Sequence, residues 1–508
     1  MDQTTQSKSS LWIGTADAEP YQPLEGEVTV DVAVVGAGIF GVTTALMLKR
    51  AGRSVALIEA DRIGRGVTGR TTAKITSLHR LIYKTILDEY GQELGQMYAR
   101  ANERAIDQIE EFVGEYAISC DFSRLPFYSF AQKDSTRAQV EAEAEAALKL
   151  GLPAAFEENV PLPVRSNGAV CFLHQAQFHP VLYLDALAAE IGGGGSHVYE
   201  RSRVVEINEG DPCRVTTTGG AVNARDVVIA THYPIAGKKD FYFARIYAER
   251  HYVVAAQLPE PFADAMFVSA EKLGYSYRAA PSDNGPLLIL TVGDKHKTGQ
   301  QEDARDYYRA GVEHAREAFG AETVDYRWST QDTYTRDQVP YIGRLDSSTN
   351  HLYTATGFRG WGLTNATAGA QIVSDLIQGK KNPHANVFDP SRGKPLTSVG
   401  EFVKENVNVA KSFVAGYLAV PRDEIDELRE GEGRVARVDG DLVGVSRGKD
   451  GTLRTVKPIC PHLGCVVAWN KAEQSWDCPC HGSRFSAEGA VLHSPAMKPL
   501  EKIDLDSD

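Results

Sequence analysis

A short β-branched run, Val30-Asp31-Val32-Ala33-Val34-Val35, leads directly into Gly36-Ala37-Gly38-Ile39-Phe40-Gly41 and then into a helix-forming stretch, Val42 to Ala51, that Gly52 ends. Ser54 to Ile58 follows as a second buried strand, closing on Glu59 and Ala60. Few folds accept this order. A strand, a G-x-G-x-x-G turn and a helix form the first half of a βαβ unit on a parallel sheet. Gly36 makes the tight turn, Gly38 lets the backbone approach a pyrophosphate, and Gly41 permits close helix–strand packing. The helix start at Ile39 and Phe40 turns free amides toward the phosphates. Glu59, about 20 residues beyond the turn, is placed to accept hydrogen bonds from an adenosine ribose. The spacing alone leaves FAD and NAD open.

At 508 residues the chain is long enough for about three domains. Residues 1–27 read as an N-terminal extension, its first dozen frayed. Residues 28–240 and 331–388 read as the dinucleotide-binding domain, with a helical insert at about 81–150. Residues 241–330 read as an inserted sheet domain, because strand patterns such as Leu287 to Leu290 recur there around one helix, Asp303 to Phe319. A Pro/Gly/Ser-rich linker, Asp389 to Gly400, precedes a predicted helix from Glu401 to Leu418, assigned to packing between domains. Residues 421–508 read as short strands and turns. The fold class expected is an α/β Rossmann-type domain with an inserted antiparallel-sheet domain and a C-terminal all-β domain.

The formal net charge of −13 argues against nucleic acid as a partner. No run of 18 apolar residues announces a transmembrane span. Met1 to Ser10 lacks the apolar core of a signal peptide, so the expected location is cytoplasmic.

Four of the seven cysteines, Cys460, Cys465, Cys478 and Cys480, crowd the C-terminal end. In a cytoplasmic protein such crowding points to a metal site before a disulfide scaffold. Cys460-Pro461-His462-Leu463-Gly464-Cys465 is followed by Cys478-Pro479-Cys480-His481-Gly482-Ser483. Two thiolates can hold one iron and two imidazoles the other, which is the Rieske arrangement. A zinc site also uses Cys and His, but it leaves the flanking residues without a role. The segment resembles the Rieske domains of cytochrome bc complexes. The resemblance implies that Cys460 and Cys478 ligate one iron of a 2Fe–2S cluster and His462 and His481 the other. It also implies a disulfide between Cys465 and Cys480, and places Ser483 as a hydroxyl donor to the cluster. The family's second donor, a Tyr, is Phe485 here, and its loss is expected to lower the cluster potential.

Residues 28–380 resemble the FAD-dependent amine and amino-acid oxidase superfamily, which includes glycine oxidase, D-amino-acid oxidase and sarcosine oxidase. Four segments carry this likeness: the small-residue loop Gly66-Val67-Thr68-Gly69-Arg70-Thr71-Thr72-Ala73, the strand Val227-Val228-Ile229-Ala230-Thr231, the turn Val339-Pro340-Tyr341-Ile342-Gly343, and Gly357-Phe358-Arg359-Gly360-Trp361-Gly362-Leu363-Thr364. It implies FAD, bound without a covalent link because Arg70 and Thr71 occupy the loop where relatives carry His. Thr71, Thr72, Ala73, Val204, Ala230, Thr231, Gly357, Gly360, Trp361, Gly362, Leu363 and Thr364 join the expected FAD contacts.

The family's substrate-binding Arg before the P-x-I-G turn is replaced here by Asp332. An acid there favours an amine, while Arg278 is a candidate replacement cation for an amino acid. Asp332 and Arg278 are therefore the expected catalytic residues. The function expected is an FAD-dependent dehydrogenase that oxidises a C–N bond of a small amine or amino acid and passes electrons through the cluster to an external acceptor. Two alternatives stay open: an electron-transfer module, and a biosynthetic tailoring enzyme for a larger metabolite. A Rieske oxygenase would need a further mononuclear iron site. The His174/His179 spacing is read as coincidence.

Overall fold

The computed structural model describes residues 9–236, 242–301, 303–392, 408–409, 413, 417 and 428–503. Strand Gly26–Val35 runs through the middle of an eight-stranded sheet, parallel to Val55–Ile58 on one side and to Gly220–Ile229 on the other. Both faces of this strand are covered. Val32 and Val34 enter one hydrophobic core, while Val30, Ala33 and Val35 enter a second. Burial on both faces is why the strand is nearly continuously apolar rather than alternating. Helix Ile39–Arg50 leaves the Gly36–Gly38 turn and packs on helix Gly362–Ile377.

The second sheet has ten strands, with Ile246–Gln257 and Val324–Thr335 paired antiparallel along most of their length. It is antiparallel except for one contact, Met266–Ser269 beside Ser123–Phe130. It also corrects the expected boundaries. Ser123–Phe130 lies inside the stretch read as a helical insert, between helices Tyr83–Glu115 and Asp134–Lys149. Lys74–Ile75, Ala154–Glu157 and Ala169–Gln177 join the same sheet, so it is not confined to 241–330. The strong helix formers on either side concealed the strand, whose Phe127 and Phe130 are fully buried.

The N-terminus is also more ordered than expected. Ser10 caps a one-turn helix, Leu11–Gly14, and Leu11 and Trp12 are buried. Trp12 Nε1 donates to Thr71 O at 2.7 Å, tying this helix to the small-residue loop. Burying an indole and a leucine outweighs the disorder that the polar composition suggested.

The C-terminal unit contains a three-stranded sheet, Gly433–Val438, Asp441–Arg447 and Leu453–Val456, and a four-stranded sheet from Ala468–Asn470 to Val491–His493. Trp476 and Phe485 anchor its core, joined by the four C-terminal cysteines. The expected helix Glu401–Leu418 lies largely outside the described residues. Of its residues, Asn408, Val409, Phe413 and Tyr417 are described, and the Tyr417 hydroxyl donates to Gly464 O at 2.9 Å. No helix among the described residues is long and apolar enough to cross a membrane.

Candidate active site and metal centre

A cavity of ≈ 1460 Å³ starts at the Gly36–Gly38 turn and ends against the C-terminal unit. It exceeds the roughly 300–1,000 Å³ of a single-ligand pocket, leaving space for a dinucleotide and a small substrate together. The turn fits its expected role. A Cβ at Gly36 would meet Ala230 O at 2.6 Å, and one at Gly41 would meet Gly36 O at 1.8 Å. Glu59 accepts from the Ala37 amide at 2.7 Å and the Asp61 amide at 3.0 Å, and burial pushes its carboxyl up. Thr68 Oγ1 accepts from the Ile39 amide at 3.1 Å, so the small-residue loop crosses the helix N-terminus.

Of the expected dinucleotide contacts, Gly36, Gly38, Ile39, Phe40, Glu59, Ala60, Thr71, Thr72, Val204, Ala230, Thr231, Gly360, Trp361, Gly362 and Leu363 line the cavity. Gly41, Ala73, Gly357 and Thr364 stand behind that lining. Gly41 is a packing glycine, and the Gly357 amide donates to Thr333 Oγ1 at 3.2 Å. Thr364 Oγ1 donates to Thr76 O at 2.9 Å and lies 3.0 Å from His79 Nε2, whose ring stacks on Trp361.

Asp332 lines the cavity on strand Val324–Thr335, next to the Gly-rich segment 357–364. Burial pushes its carboxyl up to about 6, against the pull of Lys295. His251 Nε2 lies 3.7 Å from its Oδ2, and the same ring nitrogen is 2.9 Å from the Tyr334 hydroxyl. Lys295 is paired with Glu249 and sits over the Tyr334 ring. His251, Lys295, Tyr334 and Lys74 were not singled out in the sequence, because no local motif marks them.

Arg278 is corrected. It is fully buried and absent from the cavity lining. Its guanidinium donates to the carbonyls of Ala279, Thr72, Ala73 and Phe178, leaving it occupied with backbone. Arg278 holds the carbonyls of the small-residue loop instead of meeting a substrate. His174 is exposed, while His179 caps helix Pro180–Ala189 and bonds Thr15, so the pair forms no iron site.

At the far end the two Cys/His loops face each other. Cys478 donates to Cys460 and holds the Cys460 thiol below the ordinary cysteine range. The His462 and His481 rings lie 5.1 Å apart, nearly perpendicular. Burial lowers His462 to about 4 and His481 to about 3, keeping both imidazoles neutral as ligation requires. His462 Nδ1 is buried without a hydrogen-bond partner among the described residues, as a nitrogen reserved for a metal would be. Cys465 and Cys480 form a disulfide across the loops. Ser483 is fully buried, and its hydroxyl bonds toward Cys460. Two thiols, two neutral imidazoles and a bridging disulfide fit a 2Fe–2S cluster held as the resemblance implied.

The cluster loop is pressed onto the second sheet. Gln331, adjacent to Asp332, donates to Gly482 O at 2.9 Å and lies 3.1 Å from His493 Nδ1. A Cβ at Gly482 would meet Ala248 Cβ at 2.6 Å. Glu473 crosses the same junction to Arg250 at 3.0 Å, and the Tyr308 hydroxyl donates to it at 2.7 Å. On the opposite side, Thr231 and His232 line the cavity while the Tyr233 ring meets that of His462 at 6.4 Å.

Comparison with known proteins agrees with this division. Residues 31–376 match the family model described as FAD dependent oxidoreductase, and residues 419–504 match that of the Rieske [2Fe-2S] domain. A Rieske 2Fe-2S iron-sulfur protein of Bacillus subtilis (strain 168) is 35% identical over 99% of this chain and 98% of its own. Gamma-glutamylputrescine oxidoreductase of Escherichia coli (strain K12) is 26% identical over 74% of this chain and 90% of its own. Among solved structures, L-proline dehydrogenase from P. horikoshii superposes with a TM-score of 0.60 at 22% identity, over 73% of this chain and 98% of that one. Glycine oxidase from Geobacillus kaustophilus gives 0.57 at 18%, over 70% and 96%.

Proposed function

The chain belongs to the FAD-dependent oxidoreductase family and carries a C-terminal Rieske 2Fe–2S domain, and on that premise we propose that it is a dehydrogenase of a small amine or amino acid whose electrons leave through the cluster to an external acceptor. One observation carries the reading. Asp332 and Gln331 are neighbours on one strand; Asp332 lines the cavity, and Gln331 bonds the loop that bears His481. A fused one-electron centre held this close to the cavity has little use in an enzyme that reduces oxygen directly. The names of relatives that act on glycine, L-proline and gamma-glutamylputrescine support a C–N bond as the target. The cytoplasm remains our proposed location.

Bound FAD would supply a hydride acceptor for the carbon beside the substrate nitrogen, and a bound 2Fe–2S cluster a one-electron acceptor. The chain's own residues do the rest. Gly36, Gly38 and Glu59 would hold the dinucleotide. Asp332, ionised above about pH 6, attracts the substrate nitrogen, and its burial strengthens that attraction. Trp361, Val268 and Tyr334 wall the cavity, restricting water and fixing orientation.

The test is an anaerobic titration with a panel of amines and amino acids, following flavin absorbance and the EPR signal of the reduced cluster together. One compound should bleach the flavin and raise the cluster signal. If none does, while dithionite still develops a Rieske spectrum, the amine reading falls and the electron-transfer module takes its place.

A further inference from the structure

We propose that Lys74 is a further catalytic residue, the general base that takes the proton from the ammonium group of the substrate. This rests on the amine-dehydrogenase reading above. Hydride can leave the carbon only after its nitrogen has a free lone pair, so an ammonium substrate must first lose a proton. The step is R–NH3+ plus Lys74–NH2 giving R–NH2 plus Lys74–NH3+. No electrons move, and the proton later returns to solvent.

The placement carries the argument. Lys74 lines the cavity and is only 7% exposed. Its Nζ donates to Ser276 Oγ at 3.1 Å, and no carboxylate among the described residues pairs with it. The elements that meet this corner bring no carboxylate into an ion pair with the amine among the described residues. Strand Ala169–Gln177 sets Gln177 opposite Lys74, and its titratable side chains are Cys171 and the exposed His174, neither a carboxylate. Strand Ser276–Ala280 contributes Tyr277, bonded to His314, and the cation Arg278. Helix Gly362–Ile377 has one charge, Asp375, toward its far end. An ammonium here would be buried, without a carboxylate partner and beside a guanidinium, which favours the neutral amine, while Ser276 Oγ remains to accept from the protonated form that the step produces. Burial and Arg278 together push Lys74 well below the ordinary lysine range. Next to it, Thr291 faces Ser276 on the adjacent paired strand, and its buried Oγ1 has no hydrogen-bond partner among the described residues. This polar corner of the cavity is therefore built to receive a ligand.

The experiment is competitive labelling of the FAD-loaded holoprotein with trace acetic anhydride from pH 6 to 10, with acetylation read by peptide mass. Only neutral amines react. At pH 7 Lys74 should acetylate at least tenfold faster than the exposed Lys381, with the difference closing toward pH 10. Reaction in step with Lys381, or none at any pH, overturns the proposal. On the amine found by titration, Lys74→Met should move the acidic limb of the kcat/KM profile up toward the substrate's own pKa, and Lys74→Arg should not restore it. An unmoved limb also overturns it. If no amine reduces the flavin, the labelling still decides the state of Lys74, so the two readings fail separately.

Discussion

Gln331 Nε2 donates to the carbonyl of Gly482 at 2.9 Å, joining the strand that bears Asp332 to the loop that bears His481. The Gln331 carbonyl oxygen in turn accepts from Thr298 at 2.9 Å, so the amide is fixed at both ends. Cavity and cluster loop thus share one side chain.

Replacing this side chain tests the junction. Gln331→Ala leaves Gly482 O and Thr298 without their partner, at about 1 kcal/mol each. The melting temperature should fall by a few degrees, and the g values of the reduced cluster should shift. An unchanged EPR spectrum would mean that the bond does not position the cluster loop.

Glu473 makes the junction sensitive to acid. Burial alone would raise its carboxyl, but Arg250 and Arg484 together hold it down at about 2. Because the folded value lies below the ordinary ~4.3, the stabilisation is complete above that pH and is lost as pH falls toward 2. Glu473→Gln should cost on the order of 3 kcal/mol at pH 7, since it leaves Arg250 buried without its ion-pair partner. Thermal melts at pH 7 and pH 3 check both statements; the variant should lose less on acidification than the parent protein.

Asp332 governs substrate capture. Its carboxyl titrates at about 6 because burial disfavours the charge. KM for an amine should therefore fall as pH rises through 6. Asp332→Asn should remove that dependence and raise KM roughly ten- to a hundredfold, the worth of one charged hydrogen bond. A pH-independent KM in the parent protein would count against this role.

Gly41 admits no side chain. With a backbone oxygen 1.8 Å from the place its Cβ would take, Gly41→Val has no cheap relaxation. The bound flavin per chain should drop at least tenfold by absorbance at 450 nm, while the Rieske spectrum persists. Full flavin content would contradict the assignment of this turn.

Phe485 is fully buried in the core of the cluster domain and faces Trp476 across the sheet. Phe485→Tyr supplies the hydroxyl that bc-type relatives carry and should raise the cluster potential. A redox titration with no upward shift would refute the expectation.

What could be read before folding was whatever interacts within a few residues. The Gly36–Gly41 turn and the Cys460–Cys465 and Cys478–Ser483 loops carry their chemistry locally, so their spacing, with the resemblance of these segments to known families, made them legible. Lys74, Glu473 and Gln331 take their roles from Ser276, Arg250 and Gly482, partners supplied by distant strands. No local signal marks such residues. Arg278 was misassigned for a related reason: whether a guanidinium meets a substrate or backbone carbonyls depends on which loop folds over it. Strand Ser123–Phe130 escaped notice because the helices beside it dominate the periodicity of that region.

In the proposed function, electrons move from the cavity to the cluster within one chain. The direct measurement is rapid-freeze EPR after anaerobic photoreduction of the flavin, repeated over a hundredfold range of protein concentration. The Rieske signal should grow as the flavin reoxidises, at a rate independent of concentration. A rate proportional to concentration, or a flavin that stays reduced beside an oxidised cluster, would contradict it.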